Sequence, residues 1–280
     1  MKLEVLISAM HLDDMSIAEK TKCNSDVLII NQADKNDYCE VTKEHTIRMI
    51  TTTERGLSNS RNLAIRNDKG DICLICDDDE ELEKGYERII LNAFDKIPEA
   101  DIIAFGMRKK RLDYVKPRYT KIINYGASKK AQRAPFLKTY ASVQLAFRRE
   151  SIMGKELFFD RRFGAGSGKI SCGEETVWQV EAKRKGLKIF YWPEIITTIR
   201  QDRSVWFNGL NEKYYYDLGA CLGVNYPYLK HILKFYYIFF IKGSQLSFFE
   251  QLKWLNIGIV NFSKWGLGYD EYCMKHNTSG

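Results

Sequence analysis

A short apolar run from Ile72 to Cys76 constrains the fold of this chain more than any other feature of its sequence. A run of this length, bounded by polar residues, fits a strand that is buried on both faces of a parallel sheet. Four adjacent carboxylates follow it directly: Asp77, Asp78, Asp79 and Glu80. Because open α/β sheets bind ligands just beyond the carboxyl ends of such strands, the sequence predicts an α/β fold with a ligand site here.

The four acids need an explanation of their own, since adjacent carboxylates repel one another and resist burial. Either they are fully solvated or a cation compensates them. Mg²⁺ and Mn²⁺ prefer carboxylate oxygens, usually from one or two side chains, and substrate phosphates complete their coordination. The run by itself favours a metal-bound diphosphate no more than the alternative, an acidic loop that opens the next helix.

Strands and helices alternate on both sides of this stretch in the order of a βαβ fold. Apolar runs predict strands at 3–9, 26–31, 46–52, 101–105, 143–147, 187–192 and 195–199. Helices are predicted between the first two strands, around Arg61, over 82–97 and over 174–185, the last ending at Gly186. No period is convincing from Arg108 to about Pro135, a length typical of a functional lid, an extra hairpin or a disordered loop.

The composition indicates a globular protein in a reducing compartment. The chain has 280 residues, 45% of them hydrophobic, and seven cysteines without a repeated spacing, which argues against a disulfide framework. Cys73 and Cys76 form a lone CxxC, but residues three apart on a strand face opposite sides, so we expect buried structural thiols. The N-terminal apolar run is too short for a signal peptide, and we expect a cytoplasmic location.

Positive charge is unevenly spread along the chain. The net charge is +7, and between Arg108 and Arg133 ten basic residues accompany a single acid, Asp113. Such a segment attracts phosphates, whether of a nucleotide, a lipid pyrophosphate or an anionic membrane surface. A solvated charged loop is the alternative. Because the segment contains no recognisable reader motif, we expect no nucleic-acid partner.

The segment from Tyr226 to Lys242 differs in character, because it is rich in aromatic residues and contains three lysines. Its uninterrupted apolar run, Phe235 to Ile241, is far shorter than the roughly twenty residues of a membrane-spanning helix. The segment can lie in a membrane interface, or it can pack against the rest of the chain or a second subunit in a homo-oligomer. We predict a catalytic domain over 1–200 and a helical aromatic and basic region over 201–280.

Three motifs, in their order and spacing, resemble those of the family 2 glycosyltransferases, which have the GT-A fold. They are Gly56-Leu57-Ser58-Asn59-Ser60-Arg61-Asn62, then Gly70-Asp71, then Asp77-Asp78-Asp79. The resemblance implies a Rossmann-like mixed sheet with flanking helices and a D-x-D pair formed by Asp77 and Asp79. It spans roughly seventy per cent of the chain and ends near residue 200.

The resemblance also implies roles in donor binding. Asp79 ligates the Mg²⁺ or Mn²⁺ that bridges the donor diphosphate, and Asp77 assists it and approaches the ribose or donor sugar. Asn31 ends the second predicted strand, where relatives place an acid that reads the base, and its amide both donates and accepts hydrogen bonds. A UDP-sugar is the favoured donor, with the base left open. The remaining donor-site residues are Asp78, Arg55 and Arg61, the last near the base.

A second cluster resembles the acceptor side of the same family. Gly173-Glu174-Glu175-Thr176 opens the helix over 174–185 and is similar to a Glu-Asp motif whose second acid deprotonates the acceptor hydroxyl. Glu175 occupies that catalytic position, and Glu174 is the substitute candidate. The alternative is that both acids are placed for the helix dipole. Residues 158–166 match an F-D-x-x-F-G-x-G segment of the fold.

The resemblance implies a metal-dependent, inverting, hexosyltransferase-like enzyme. It moves a sugar from a nucleotide sugar to a saccharide or lipid-linked oligosaccharide in polysaccharide or capsule biosynthesis. On this reading the chain is cytoplasmic, peripheral on the inner face of the plasma membrane. Nucleotidyl transfer, which also uses metal-bound carboxylates at strand ends, is one alternative. A catalytically silent carbohydrate- or partner-binding module of the same fold is the other.

Overall fold

The computed structural model of the protein describes residues 1–111, 121–123, 130–201, 209–241 and 243–276. The chain divides into two compact units. Unit 1 comprises Met1–Arg55, Asn59–Phe158 and Trp178–Arg203, and unit 2 comprises Gly56–Ser58, Phe159–Val177 and Ser204–Gly280. Most of the basic segment between Arg108 and Arg133 lies outside the described residues, so its role stays a prediction.

Unit 1 is built on one mixed sheet. In chain order its strands are β1 (Leu3–Met10), β2 (Asp26–Gln32), β3 (Asp37–Thr42), β4 (Thr46–Thr52), β5 (Ile72–Asp77), β6 (Glu80–Leu82), β7 (Ile102–Arg111), β8 (Lys121–Ile123), β9 (Gln132–Arg133), β10 (Leu145–Arg148) and β11 (Ile189–Gln201). They lie in the order β3-β4-β2-β1-β5-β10-β7-β11-β6, while β8 pairs with β7 and β9 with β11. Strands β4, β2, β1 and β5 are parallel, and β10 runs antiparallel to both its neighbours.

The helices associated with unit 1 cover both faces of this sheet. They are α1 (Ile17–Lys20), α2 (Leu57–Asn67), α3 (Tyr86–Lys96), α4 (Arg149–Gly154) and α5 (Glu174–Arg184), of which α2 and α5 begin in unit 2. Strand β10 illustrates that helices pack on both faces of the sheet, because successive residues of a strand point to opposite faces. Ala146 joins the core that contains Phe94 of α3, whereas the ring of Phe147 contacts Trp178 of α5 at 6.0 Å. The predicted α/β fold is therefore confirmed.

Several local predictions are confirmed, and others are wrong. Strands β1, β2, β4 and β5 lie where the apolar runs placed them, and Gly186 follows α5 with a φ of +83°. The strands predicted at 187–192 and 195–199 are instead one strand, β11, whose pairing with β7 is irregular between Tyr191 and Thr197. Leu82, assigned to a helix, lies in β6, and the edge strand β3 was missed because its side chains are mostly exposed and polar.

The C-terminal region is helical, as predicted, and within its described residues unit 2 contains four helices. They are α6 (Glu212–Asn225), α7 (Lys230–Phe240), α8 (Phe248–Trp265) and α9 (Tyr269–His276). Helices α6 and α8 approach closely through two glycines: a Cβ on Gly219 would lie 2.3 Å from the Leu255 carbonyl oxygen, and one on Gly258 2.1 Å from that of Tyr216. Across the part of the chain that the structure describes, no helix is long and apolar enough to cross a bilayer.

Candidate functional site

The carboxyl ends of the parallel strands bring most of the predicted donor-site residues to one edge of the sheet in unit 1. Asp77 is the last residue of β5 and pairs in register with Ser8 of β1. The next residue of β1, Ala9, pairs with Asn31 of β2. Asp77 therefore ends β5, and Asn31 lies one residue before the end of β2, on either side of β1 and at the position where open α/β sheets bind ligands.

A buried arginine holds Asp77 in place. The guanidinium Nη2 of Arg61, on α2, donates to Asp77 Oδ1 at 2.9 Å and to Ser142 Oγ at 2.8 Å. Arg61 is 3% exposed, whereas Asp77 keeps 29% of its side chain open to solvent. The structure thus brings together two residues that the sequence assigned separately, and it fixes one face of the Asp77 carboxylate while the residue stays accessible.

Glu80 stabilises the same turn through two hydrogen bonds, a role that the sequence did not predict. Its Oε1 accepts a hydrogen bond from the backbone N–H of Asp77 at 2.6 Å, and its Oε2 accepts one from Thr197 Oγ1 at 2.7 Å. Burial, and then the charge of Asp77, raises the pKa of Glu80 well above its ordinary value. The acidic run is therefore not uniform: its fourth acid is a buried hydrogen-bond acceptor that shapes the turn.

Asp78 and Asp79 form the exposed tip of this turn. Although the residue as a whole is exposed, partial desolvation of its carboxyl group by the surrounding protein, together with the charge of Asp77, raises the pKa of Asp78. Negative charge is thus concentrated at the end of β5, where a cation would be stabilised.

A divalent metal fits this donor set only in part. Among the residues that the structure describes, no group of three or more His, Cys, Asp or Glu side chains is arranged to hold a metal ion. Mg²⁺ and Mn²⁺, however, take one or two carboxylates when substrate phosphates and water fill their other positions. Asp77 and Asp79, hard oxygen donors at an accessible strand end, suit that kind of site.

Asn31 and Arg55 also contact the protein around the edge. The amide of the buried Asn31 accepts from the backbone N–H of Leu12 at 2.9 Å and donates to the carbonyl of the same residue at 3.0 Å. The guanidinium of Arg55 donates to the carbonyl oxygens of Ala33 at 2.8 Å and Thr52 at 3.2 Å, just beyond β2 and at the end of β4. Both side chains thus order the loops at this edge, and their contact with a nucleotide stays a prediction.

The second predicted cluster lies in unit 2, at the start of α5. Glu174 is buried and Glu175 half-buried. Gly164, whose φ is +102°, lies against the Glu174 carboxyl group: a Cβ there would be 3.3 Å from its Cδ and Oε2. The F-G-x-G segment therefore lies close against Glu174, and a glycine is favoured at this position because its φ is positive and because a Cβ would contact the carboxyl group tightly.

The loop before α5 is held by a buried aspartate that the sequence did not reveal. Asp217 Oδ2, on α6, accepts from the backbone N–H of Ser171 at 3.0 Å and from its hydroxyl at 2.5 Å. Burial raises the pKa of Asp217. Two residues further on, Gly173 has a φ of +82°, and a Cβ there would lie 2.5 Å from Cys221 Sγ. These contacts fix the backbone that leads into Glu174 and Glu175.

The sequence matches the family model for "Glycosyl transferase family 2" over residues 15–154, half of the chain. The chain belongs to this family. The match covers Asn31, Arg55, Arg61 and the acidic turn at the end of β5, and it ends before Glu174. No curated protein matches the chain significantly.

Solved structures confirm the GT-A fold. A crystal structure of S. aureus TarS 1–349 is 13% identical, with 95% of this chain and 73% of that chain covered and a TM-score of 0.55. The same TarS fragment in complex with UDP-GlcNAc is 12% identical, with 94% and 73% covered and a TM-score of 0.58. Its complex with UDP is 11% identical, with 95% and 73% covered and a TM-score of 0.55. At these identities the likeness concerns the fold alone.

Proposed function

We propose that this family 2 glycosyltransferase uses a nucleotide-sugar donor, with a UDP-sugar favoured. The observation that carries the proposal is the anchored acidic turn of unit 1, in which buried Arg61 holds Asp77 beside the exposed Asp78 and Asp79. A turn of this kind presents fixed carboxylate oxygens at a strand end, as a metal-bridged diphosphate requires. TarS, which shares the fold, binds UDP-GlcNAc and UDP in its crystal structures, which supports a uridine nucleotide for this chain.

The donor site that we propose uses the residues of this edge. Asp79, with Asp77, would hold Mg²⁺ or Mn²⁺, and the ion, when bound, neutralises the charge that grows on the departing diphosphate. Arg61 keeps the Asp77 carboxylate in one orientation, so that no reorganisation is needed as the donor binds. Asp78, Asn31 and Arg55 complete the donor-binding set in this proposal.

The reaction that we propose is a single displacement with inversion. An acceptor hydroxyl oxygen attacks the anomeric carbon, the bond from that carbon to the diphosphate oxygen breaks, and Glu175 takes the hydroxyl proton. General-base catalysis of this kind contributes about 10²- to 10⁴-fold. Glu174, buried against Gly164, is the substitute base and otherwise positions the start of α5.

We propose a saccharide or lipid-linked oligosaccharide acceptor in polysaccharide biosynthesis, in a cytoplasmic setting, with 1–200 as the catalytic domain and 201–280 as an extension. All seven cysteines lie in the described part of the chain and are free thiols, which supports a reducing compartment.

The test is release of nucleoside diphosphate from a panel of nucleotide sugars, with saccharide and lipid-linked acceptors, in Mn²⁺ or in EDTA. Glu175→Gln should abolish transfer and keep donor binding, since it removes the base and retains the shape of the side chain. Glu181→Gln, a half-buried acid on the same helix, is the matched control and should transfer normally. Near-normal turnover of Glu175→Gln would remove Glu175 from this role. Release of pyrophosphate from a nucleoside triphosphate would replace sugar transfer with nucleotidyl transfer.

A further inference from the structure

Helix α7 carries an apolar stripe that faces solvent. The stripe residues follow the i, i+3, i+4, i+7, i+8 spacing of a single helix face. They are Ile232, Phe235, Tyr236, Phe239 and Phe240, with exposed fractions of 69%, 40%, 54%, 68% and 68%. A stripe of this width normally faces a protein core, so its exposure in unit 2 requires an explanation.

Most of the stripe lies off the face by which α7 packs on its own unit. That contact is made by other residues: Ile238 is buried, Leu233 and Tyr237 are half-buried, and Lys234 Nζ donates to Asn256 Oδ1 of α8 at 2.9 Å. Helix α7 therefore has two apolar faces, and the second remains exposed when the first is packed. A helix that is apolar on both faces is suited to lie between a protein and another apolar phase.

The exposed aromatic rings continue onto the start of α8. The ring of Phe239 lies 6.1 Å from that of Phe248, which is 5.6 Å from Phe249, and Tyr236 lies 4.4 Å from Phe240. Phe249 is 78% exposed. We call these seven residues, the stripe of α7 with Phe248 and Phe249, the aromatic surface.

The sequence segment that contains the aromatic surface carries mostly positive charge. From Tyr226 to Trp265 the sequence contains one acid, Glu250, and the five lysines Lys230, Lys234, Lys242, Lys253 and Lys264. Within this segment, Lys234 Nζ lies 5.2 Å from the centre of the Phe235 ring, so a cation directly borders the stripe. Aromatic residues and lysines together match the headgroup level of an anionic bilayer, where rings occupy the interface and lysines meet lipid phosphates.

We propose that the aromatic surface binds the interfacial region of an anionic phospholipid bilayer. Helix α7 has 11 residues, too short to span a membrane, so it would lie in the plane of the interface. A second copy of the chain is a poorer occupant, because a two-fold interface would place this positive segment against itself. The inference is independent of sugar transfer, since it concerns attachment of the chain to a surface.

The test is co-sedimentation of the full chain with phosphatidylcholine vesicles, with and without phosphatidylglycerol. Binding should require the anionic lipid and weaken as salt rises. Phe239→Ser/Phe240→Ser should lower vesicle affinity about tenfold or more, because two largely exposed rings lose their apolar contact. Lys253→Gln, at an exposed residue of α8, should lower it about fivefold.

The matched control is Phe136→Ser, which changes a phenylalanine that is 57% exposed in unit 1 and should leave vesicle affinity unchanged. Thermal midpoints of all variants should stay near that of the wild type, since exposed side chains contribute little to folding. Absence of vesicle binding by the wild type, or equal binding of Phe239→Ser/Phe240→Ser, would overturn the proposal. A lipid-free oligomer that this variant converts to a monomer, without change in vesicle binding, would assign the surface to a second copy instead.

Discussion

The ion pair between Arg61 and Asp77 should stabilise unit 1 by an amount that its burial determines. Exposed ion pairs contribute about 0.2–1 kcal/mol, whereas removal of one partner from a buried pair costs about 3–5 kcal/mol. Arg61 is 3% exposed and Asp77 29%. The burial of this pair is intermediate between that of an exposed pair and that of a fully buried pair. We therefore expect a coupling free energy of about 1–2 kcal/mol.

A double-mutant cycle measures this coupling. The variants are Arg61→Met, Asp77→Ala and the double variant, and the observable is the free energy of unfolding in urea, followed by far-ultraviolet circular dichroism. Arg61→Met alone should cost about 2–4 kcal/mol, because it also removes the charged hydrogen bond to Ser142 Oγ. Unit 2 is the same in all four proteins, so its contribution cancels in the cycle.

An exposed ion pair in the same unit provides the control. Lys35 Nζ and Asp37 Oδ2 are 3.0 Å apart, a similar distance, but their side chains are 68% and 55% exposed. The corresponding cycle, Lys35→Met with Asp37→Ala, should give a coupling below about 0.5 kcal/mol. If the Arg61–Asp77 coupling is no larger than this control value, burial does not strengthen the pair, and the anchoring of Asp77 is refuted.

Two further predictions concern unit 2. Gly164→Ala and Gly168→Ala should each lose about 1–2 kcal/mol of stability, because both glycines have positive φ, but only the first should also lower turnover. The reason is that a Cβ on Gly164 would contact the Glu174 carboxyl group, whereas a Cβ on Gly168 would contact nothing within 4 Å. Equal turnover of the two variants would contradict the role given to the contact between Gly164 and Glu174. Burial raises the pKa of Asp217, so the folded state binds its proton more tightly, and its contribution to stability falls as pH rises above the unfolded value of about 4. The thermal midpoint of Asp217→Asn, relative to the wild type, should therefore rise between acid and neutral pH, and an unchanged difference would contradict the assigned cause.

Local sequence signals predicted the parts of the fold that depend on neighbouring residues. The run from Ile72 to Cys76 is apolar because both faces of β5 are covered, and burial on both faces leaves a continuous signal. The strand β11 was predicted as two strands, at 187–192 and 195–199, and Pro193 lies in the gap between them. In the structure the irregular pairing falls at this proline, where a Cβ on Gly106 of β7 would lie 3.2 Å from the Pro193 carbonyl oxygen.

The parts of the site that sequence could not predict depend on residues far apart in the chain. In the sequence, nothing distinguishes the role of Glu80 from that of the three acids that precede it. Its separate role becomes evident only from its hydrogen bond with Thr197, 117 positions later. The support of Ser171 by Asp217 likewise joins residues 46 positions apart. The order of the motifs indicates which residues form a site. The hydrogen bonds that position those residues depend on the packing of distant parts of the chain, which a single sequence does not reveal.

The central claim, a metal-dependent nucleotide site at the end of β5, is tested most directly by thermal stability of the full chain with nucleoside diphosphates and nucleotide sugars. Ligand at a hundred times its dissociation constant adds about 2.7 kcal/mol to the free energy of unfolding. We predict a raised midpoint with UDP or a UDP-sugar in Mn²⁺, lost in EDTA and in Asp79→Asn, and retained in Asp95→Asn, a control at an exposed aspartate of α3. No shift with any nucleotide, or an equal shift in Asp79→Asn, would contradict the account.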